Sequence, residues 1–152
     1  MANNILLKGC ALVIDDEINP NPQSGDSQIR KIVNVLKGEG SFFIELPCIP
    51  NRTEWSSFSG VEYIILDWDL NPCNDNIDVP DGVEIIQGEL KDSNKQLTKD
   101  FIKYILENYF IPIFLFSKEN DGEIKRELSL DEDVKRAIDR CQIDIKDKDN
   151  FF

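Results

Sequence analysis

Short apolar runs alternate with helical patterns along the chain. Five runs have the length and apolar content of strands: Cys10–Ile14, Ser41–Leu46, Tyr63–Leu66, Ile111–Phe116 and Gln142–Ile145. The run YIIL at Tyr63–Leu66 is apolar at every position, which is typical of a strand buried on both faces inside a parallel sheet. Strands that alternate with helices favour βαβ units. The pattern therefore predicts an α/β fold, a doubly wound open parallel sheet with five strands.

Longer helical patterns lie between these runs. The first helix is predicted from apolar residues three and four positions apart, at Ile29, Ile32, Val33 and Leu36. Gly38 and Gly40 are expected to end it. Two more patterns, Gly82–Leu90 and a separate one through Phe101 and Ile105, are divided by a polar stretch, so two helices are expected there.

Two shorter helices are predicted from polar residues that can cap their first turn. Thr53 is a suitable N-cap for a short helix that runs to Ser59. An acidic helix is expected at Asp131–Arg140, with Ser129 as its N-cap and Glu132 three residues later in a capping box.

Charge and the absence of histidine narrow the classes of function. The net charge is −12, from 29 acidic and 17 basic residues, which repels a phosphate backbone and argues against direct binding of nucleic acid. Because the chain has no histidine, histidine-dependent triads are excluded and the usual zinc patterns are absent. Any acid–base chemistry must then use carboxylates, lysines or a metal.

Length and cysteine usage indicate one domain in a reducing compartment. A chain of 152 residues is predicted to form a single domain over residues 1–152 with one substantial core. The four cysteines form no CxxC pair, so we expect reduced thiols. No signal segment opens the chain and its apolar runs fall well below the ~18 residues of a membrane span. These features predict a cytoplasmic protein without membrane association.

Polar side chains follow three of the predicted strands. Asp15, Asp16 and Glu17 follow the first, Asp67 and Asp69 the third, and Ser117 and Lys118 the fourth. The carboxyl ends of parallel strands share one edge of the sheet, where ligands bind in this class of fold. Carboxylates held together repel one another unless a cation neutralises them, and Mg²⁺ prefers such oxygen ligands. The sequence therefore predicts a Mg²⁺ site at this edge.

In order and content the segments resemble the receiver domain of response regulators in two-component signalling. The matching segments are ALVIDDE from Ala11, RKIVNVLKGEG from Arg30, YIILDWDLNP from Tyr63, DGVEII from Asp81 and IPIFLFS from Ile111. The resemblance covers nearly the whole chain, and its most specific parts are the DDE and LDWDLNP segments. It implies a flavodoxin-like receiver fold.

The resemblance also implies a role for each residue at the strand ends. Asp67 would be the nucleophile that accepts a phosphoryl group, from a histidine kinase, a phosphotransfer protein or a small acyl phosphate. Mg²⁺ would be held by Asp15, Asp16, the side chain of Asp67 and the backbone carbonyl of Asp69. Ser117 would bind a phosphoryl oxygen and so change a surface that an output domain or protein partner recognises.

The sequence departs from the receiver pattern at several positions. The lysine that ends the fifth strand is assigned to Lys146, with Lys148 as a weaker choice, and Lys118 could supply the cation instead. Ile143 stands where an aromatic switch residue is usual. Insertions lengthen the loops after Glu17 and Asp67, and their role as partner surfaces or tolerated insertions stays open. The chain ends at Phe151 and Phe152. It is therefore expected to lack the last helix and to be the N-terminal part of a longer protein.

Two other functions remain open from the sequence. A pseudo-receiver would keep the fold as a protein-binding module without phosphotransfer, which Mg²⁺ binding and phosphorylation would distinguish. A phosphatase similar to the haloacid dehalogenases is suggested by the D-x-D form of Asp67 to Asp69. That family's motif follows its first strand, whereas two strands precede it here, so this alternative fits less well.

Overall fold

The fold is a five-stranded parallel sheet with helices on both faces. A computed structural model of the chain describes residues 9–18, 28–70 and 87–147. Its strands are β1 Cys10–Ile14, β2 Phe42–Leu46, β3 Tyr63–Asp67, β4 Ile113–Ser117 and β5 Ile143–Asp147. All neighbouring pairs are parallel, in the order β2-β1-β3-β4-β5. This order is that of the flavodoxin-like doubly wound folds and confirms the predicted fold class.

Among the described residues, more helices pack on one face of the sheet than on the other. The helices are α1 Gln28–Gly38, α2 Gln87–Asn108, α3 Asp121–Leu128 and α4 Glu132–Asp139, with short 3-10 helices at Asp16–Ile18 and Arg52–Phe58. The apolar side of α1 packs on one face, against Ala11 and Val13 of β1. On the other face, Leu12 and Ile14 share a larger core with α2, α3, α4 and the second 3-10 helix. Residues of β1 and β3 belong to both clusters, so packing on both faces positions the carboxyl ends of these two strands.

Between β3 and β4, the described residues 87–112 contain one long helix that runs through the polar stretch predicted to divide two helices. The structure continues α2 without a break from Gln87 to Asn108, so the predicted division there is wrong. The polar stretch is accommodated because its described side chains, from Ser93 to Gln96, are exposed or half-buried. Lys95 and Lys99 form ion pairs there with Glu119 and Glu127. A helix needs apolar residues only on its buried side, and a polar stretch does not by itself end it.

The region between β4 and β5 contains two helices where one was predicted. Ser129 is the C-cap of α3 and not the N-cap of the acidic helix, which was the prediction. Asp131 is the N-cap of α4: its side chain accepts hydrogen bonds from the backbone N–H groups of Asp133 and Val134. With eight residues, and buried side chains only at Ile124 and Leu128, α3 is too short to give a clear helical period.

Several expectations fall outside the described residues. These concern both inserted loops, the DGVEII segment, Lys148 and the expected absence of the last helix. None of the helices that the structure describes is long and apolar enough to cross a membrane.

Cys10 and Cys141 are free, but Cys48 is disulfide-bonded, so the expectation of reduced thiols is wrong for Cys48. CxxC spacing does not reveal such a bond, because distant cysteines can meet in the folded chain.

The cap of α4 leads to a first prediction. Asp131→Ala is expected to lower the free energy of unfolding by about 1 kcal/mol at neutral pH, because the side chain caps the helix. The Asp131 carboxylate also accepts a hydrogen bond from Lys103 Nζ at 2.8 Å, which holds its pKa below the usual value. The charge therefore stabilises the fold above the unfolded-state pKa of about 3.9, and this contribution is lost as the pH falls through the lower folded-state pKa.

Urea denaturation at pH 7 and pH 3 measures this effect. Asp131→Asn is the matched control, because asparagine can cap the helix but carries no charge. We expect the asparagine variant to lose less stability than the alanine variant at pH 7, and its difference from the parent to shrink at pH 3. Equal stability of Asp131→Ala and the parent at pH 7 would contradict the assignment of this cap.

Candidate functional site

Three aspartates lie together at the carboxyl edge of the sheet. Asp15 directly follows β1, and Asp67 ends the neighbouring β3, where the register pairs Ile14 with Leu66. One carboxylate oxygen from each of Asp15, Asp16 and Asp67 lies within 4.8 Å of the other two. Asp15 and Asp67 are buried, and Asp16 is half-buried. These three residues are called the aspartate cluster below, and their proximity confirms the prediction from the strand ends.

The backbone around the aspartate cluster fixes two of its carboxylates. Asp15 Oδ1 accepts a hydrogen bond from the backbone N–H of Glu17 at 2.8 Å, in the turn that begins the first 3-10 helix. Asp67 Oδ1 accepts one from the backbone N–H of Asp69 at 3.1 Å. Aspartate commonly bonds in this way to the backbone two residues on, which favours a turn after each strand. Each carboxylate is thereby oriented by its own loop.

The aspartate cluster could hold a divalent cation. Three carboxylates contribute oxygen ligands only, the kind that hard cations such as Mg²⁺ and Ca²⁺ prefer. Two of these carboxylates are buried beside each other, and close like charges disfavour that arrangement unless a cation offsets it. The donor set therefore fits a hard metal ion.

Asp69 lies close to the cluster in sequence, but its side chain points to the end of β4. Its Oδ2 accepts hydrogen bonds from Ser117 Oγ at 2.8 Å and from the backbone N–H of Lys118 at 3.2 Å. Ser117 is fully buried, and its Oγ also accepts a hydrogen bond from the backbone N–H of Glu119 at 2.8 Å. The sequence analysis identified Asp69 and Ser117 as candidate site residues but missed the hydrogen bond between them. Their places at the ends of adjacent strands were the signal that could have predicted it.

The two candidate lysines occupy different places around the cluster. Lys118 Nζ lies 3.5 Å from Glu17 Oε1, so this ion pair joins the segments after β4 and β1. Because β3 lies between β1 and β4, the pair spans the end of β3, where Asp67 is located.

Lys146 lies one strand further away, on β5. The register pairs Phe116 with both Asp67 and Lys146, which separates these two residues by two strand spacings, about 10 Å. The Lys146 ammonium lies 3.2 Å from Asp144 Oδ2, on its own strand. Phe116 is buried between the strands of Asp67 and Lys146. The structure thus pairs the Lys118 side chain with Glu17 across the end of β3 and pairs the Lys146 side chain with a residue of its own strand.

Trp68, the residue after Asp67, provides a natural fluorescence reporter. It follows Asp67 directly and is 1% exposed, and its indole Nε1 has no hydrogen-bond partner among the residues that the structure describes. Lys95 Nζ lies 5.8 Å from its ring centroid. A change in charge at Asp67 is expected to alter the fluorescence of this buried indole, because Trp68 is the next residue along the chain.

Fold and site together define the class of protein. The chain is a flavodoxin-like doubly wound α/β protein with an acidic cluster at the ligand-binding edge of its sheet. No protein-family model matches the sequence, and no curated protein matches it significantly.

Proposed function

We propose that the chain is a receiver domain that accepts a phosphoryl group on Asp67 with the help of Mg²⁺. The observation that carries this proposal is the aspartate cluster, three carboxylates within 4.8 Å at the carboxyl ends of two adjacent parallel strands. In this arrangement Asp67 is the last residue of β3, whereas Asp15 and Asp16 belong to the segment that follows β1. This is the division of roles expected for one nucleophile and two metal ligands.

The chemistry assigns a separate task to each residue. A carboxylate oxygen of Asp67 attacks the phosphorus of a phosphohistidine or acyl phosphate, forming an O–P bond while the bond to the donor breaks. The donor group leaves with the electron pair of the broken bond. Mg²⁺ held by Asp15, Asp16, Asp67 and the Asp69 carbonyl would neutralise the phosphoryl oxygens.

Hydrogen-bond donors and a cation complete the proposed site. Ser117 would donate its hydroxyl to a phosphoryl oxygen once the group is on Asp67. Lys118 is our first choice for the cation, because its ion pair with Glu17 spans the end of β3. Lys146 is the second, since it must leave Asp144 and reach past Phe116.

The partners follow from this chemistry. The chain has no histidine, which fits an external phosphoryl donor, and a histidine kinase or phosphotransfer protein is proposed for this role. Movement of Ser117 at the end of β4 would alter the neighbouring surface, which an output domain or protein partner would recognise. A cytoplasmic location is part of the proposal. The disulfide at Cys48 is unusual for that compartment, where thiols are kept reduced.

Labelling with a small phosphodonor tests the proposal. The protein is incubated with acetyl phosphate and Mg²⁺, separated by Phos-tag electrophoresis, and examined by tandem mass spectrometry. We expect a shifted, hydroxylamine-sensitive species modified at Asp67, which is absent when EDTA is present. An unshifted protein at saturating donor and Mg²⁺ would overturn the proposal.

A pseudo-receiver is the second candidate, and one observation favours it. The Ser117 hydroxyl donates to Asp69, and the Lys146 ammonium pairs with Asp144, so neither group is directed at Asp67. A module that binds proteins without phosphotransfer would show no labelling and no specific effect of Mg²⁺ on Trp68 fluorescence. Steady release of phosphate from a phosphate ester would instead favour the haloacid-dehalogenase-like alternative.

A further inference from the structure

Two hydrogen-bond donors at the end of β4 converge on one oxygen of Asp69. The Ser117 hydroxyl and the Lys118 backbone N–H both donate to Asp69 Oδ2, at 2.8 and 3.2 Å. These two groups are called the β4 donor pair below. Because Ser117 is fully buried, its hydroxyl has little access to water as an alternative acceptor. An anionic oxygen that accepts both donors is therefore strongly favoured at this place.

Asp69 is also connected directly to the residue that would carry the phosphoryl group. Its backbone N–H donates to Asp67 Oδ1 at 3.1 Å, while its carboxylate accepts from the β4 donor pair. The residue thus bridges the end of β3 and the end of β4. A phosphoryl group on Asp67 would bring further negative charge close to the Asp69 carboxylate, and like charges at short distance repel.

We propose that the Asp69 carboxylate is an internal competitor for the phosphoryl group. It occupies the β4 donor pair in the unmodified protein, and a phosphoryl oxygen on Asp67 can bind these donors only after Asp69 releases them. Asp69 is then a positioning residue that acts through Ser117. It holds the hydroxyl in the unmodified arrangement and weakens the binding of any anion at Asp67. This inference rests on the proposed phosphoryl acceptance by Asp67.

Glu119 allows competition for the donors to be distinguished from a general effect of negative charge near Asp67. Glu119 carries a carboxylate in the same loop, but that group pairs with Lys95 at 3.4 Å and does not contact the β4 donor pair. Only the backbone N–H of Glu119 reaches Ser117. Removing the Glu119 charge lowers the local negative charge and leaves the donors occupied by Asp69. Removing the Asp69 charge lowers the local negative charge and also frees the donors.

Beryllofluoride, a phosphoryl analogue, tests the competition at saturating Mg²⁺ with Trp68 fluorescence as the signal. Asp69→Ala is expected to bind beryllofluoride about tenfold more tightly than the parent, since a charge-assisted hydrogen bond no longer has to be exchanged. Asp69→Asn, which is nearly isosteric and keeps a neutral acceptor, is expected to give a smaller gain. Glu119→Gln is expected to change the affinity less than about twofold.

A double-variant comparison tests whether the effect of Asp69 on beryllofluoride affinity acts through Ser117. In a Ser117→Ala background, Asp69→Ala is expected to lose most of its gain, because one member of the donor pair is absent. A merely structural role of Asp69 would change the melting temperature but would not make the gain depend on Ser117. Acetyl phosphate labelling of the same variants reports whether Asp67 accepts a phosphoryl group at all.

The outcomes distinguish the inference from the proposed function. Tighter binding in Asp69→Ala that requires Ser117 supports the competition. Labelling of the parent together with equal or weaker binding in both Asp69 variants overturns it, and so does a gain that is independent of Ser117 or matched by Glu119→Gln. If neither the parent nor any variant is labelled or binds beryllofluoride, the proposed function fails and the inference fails with it.

Discussion

Asp67→Asn is expected to reduce phosphoryl uptake from acetyl phosphate to background. The amide of asparagine is not a useful nucleophile. The neighbouring carboxylates of Asp15 and Asp16 are placed to bind a cation, so they are not expected to replace Asp67 as the nucleophile. The backbone is expected to keep its geometry, because the amide oxygen of asparagine can still accept the hydrogen bond from the Asp69 N–H. Phos-tag electrophoresis of parent and variant under identical Mg²⁺ and donor concentrations measures the effect.

The same substitution is expected to raise the stability of the metal-free protein. Removing one of three close carboxylates relieves repulsion, so the free energy of unfolding should rise by about 0.5–2 kcal/mol. Asp16→Asn is the matched control: it relieves repulsion similarly and keeps the nucleophile, but it should lose Mg²⁺ binding. Urea denaturation in EDTA and a Mg²⁺ titration of Trp68 fluorescence provide the two measurements.

Two results would contradict this account of the cluster. Labelling that persists in Asp67→Asn would place the phosphoryl group on another residue. A metal-free Asp16→Asn protein that is less stable than the parent, with its Mg²⁺ affinity retained, would remove Asp16 from the cation site and leave its carboxylate with a structural role.

The sequence predicted the sheet well because its strands are short, apolar and regularly separated. β1 was predicted with the observed bounds, and β3 to within one residue. Once the strands are parallel, their carboxyl ends share one edge, and the proximity of Asp15 and Asp67 follows from strand order alone. Covalent geometry and the hydrophobic pattern are sufficient for this part of the site.

Other features depended on tertiary contacts that no local pattern specifies. The direction of the Asp69 side chain is decided by the Ser117 and Lys118 donors, which lie 48 and 49 positions further along the chain. The eight-residue helix α3 is stabilised by burying Ile124 and Leu128 more than by a visible period. The bond at Cys48 likewise depends on proximity in the folded chain.

Lys118→Ala is expected to lower phosphoryl uptake at Asp67 about tenfold, and Lys146→Ala less than about threefold, on the usual scale for a hydrogen bond to a charged group. The physical reason is position. The pair of Lys118 with Glu17 crosses the end of β3, whereas Lys146 lies two strands from Asp67 and pairs with Asp144.

The state of the Lys118 ion pair also favours this lysine as the cation. Its 3.5 Å separation and the 62% exposure of the Lys118 side chain indicate a weak interaction with Glu17, so the ammonium can exchange partners at little cost. Lys118→Arg keeps the charge and is expected to retain most of the phosphoryl uptake. Lys146→Ala is the matched control, because it removes a lysine from the neighbouring strand β5.

Initial rates of acetyl phosphate labelling and beryllofluoride titrations of the three variants decide between the lysines. A strong loss in Lys146→Ala with no change in Lys118→Ala would show that the lysine on β5 reaches the phosphoryl group despite Phe116, as the resemblance to receivers implies. If neither alanine variant differs from a labelled parent, the charge on the phosphoryl group must be balanced by the metal and the backbone donors alone. Such a site would depend more steeply on Mg²⁺, because no side-chain cation would remain to hold the group on Asp67 when the metal dissociates.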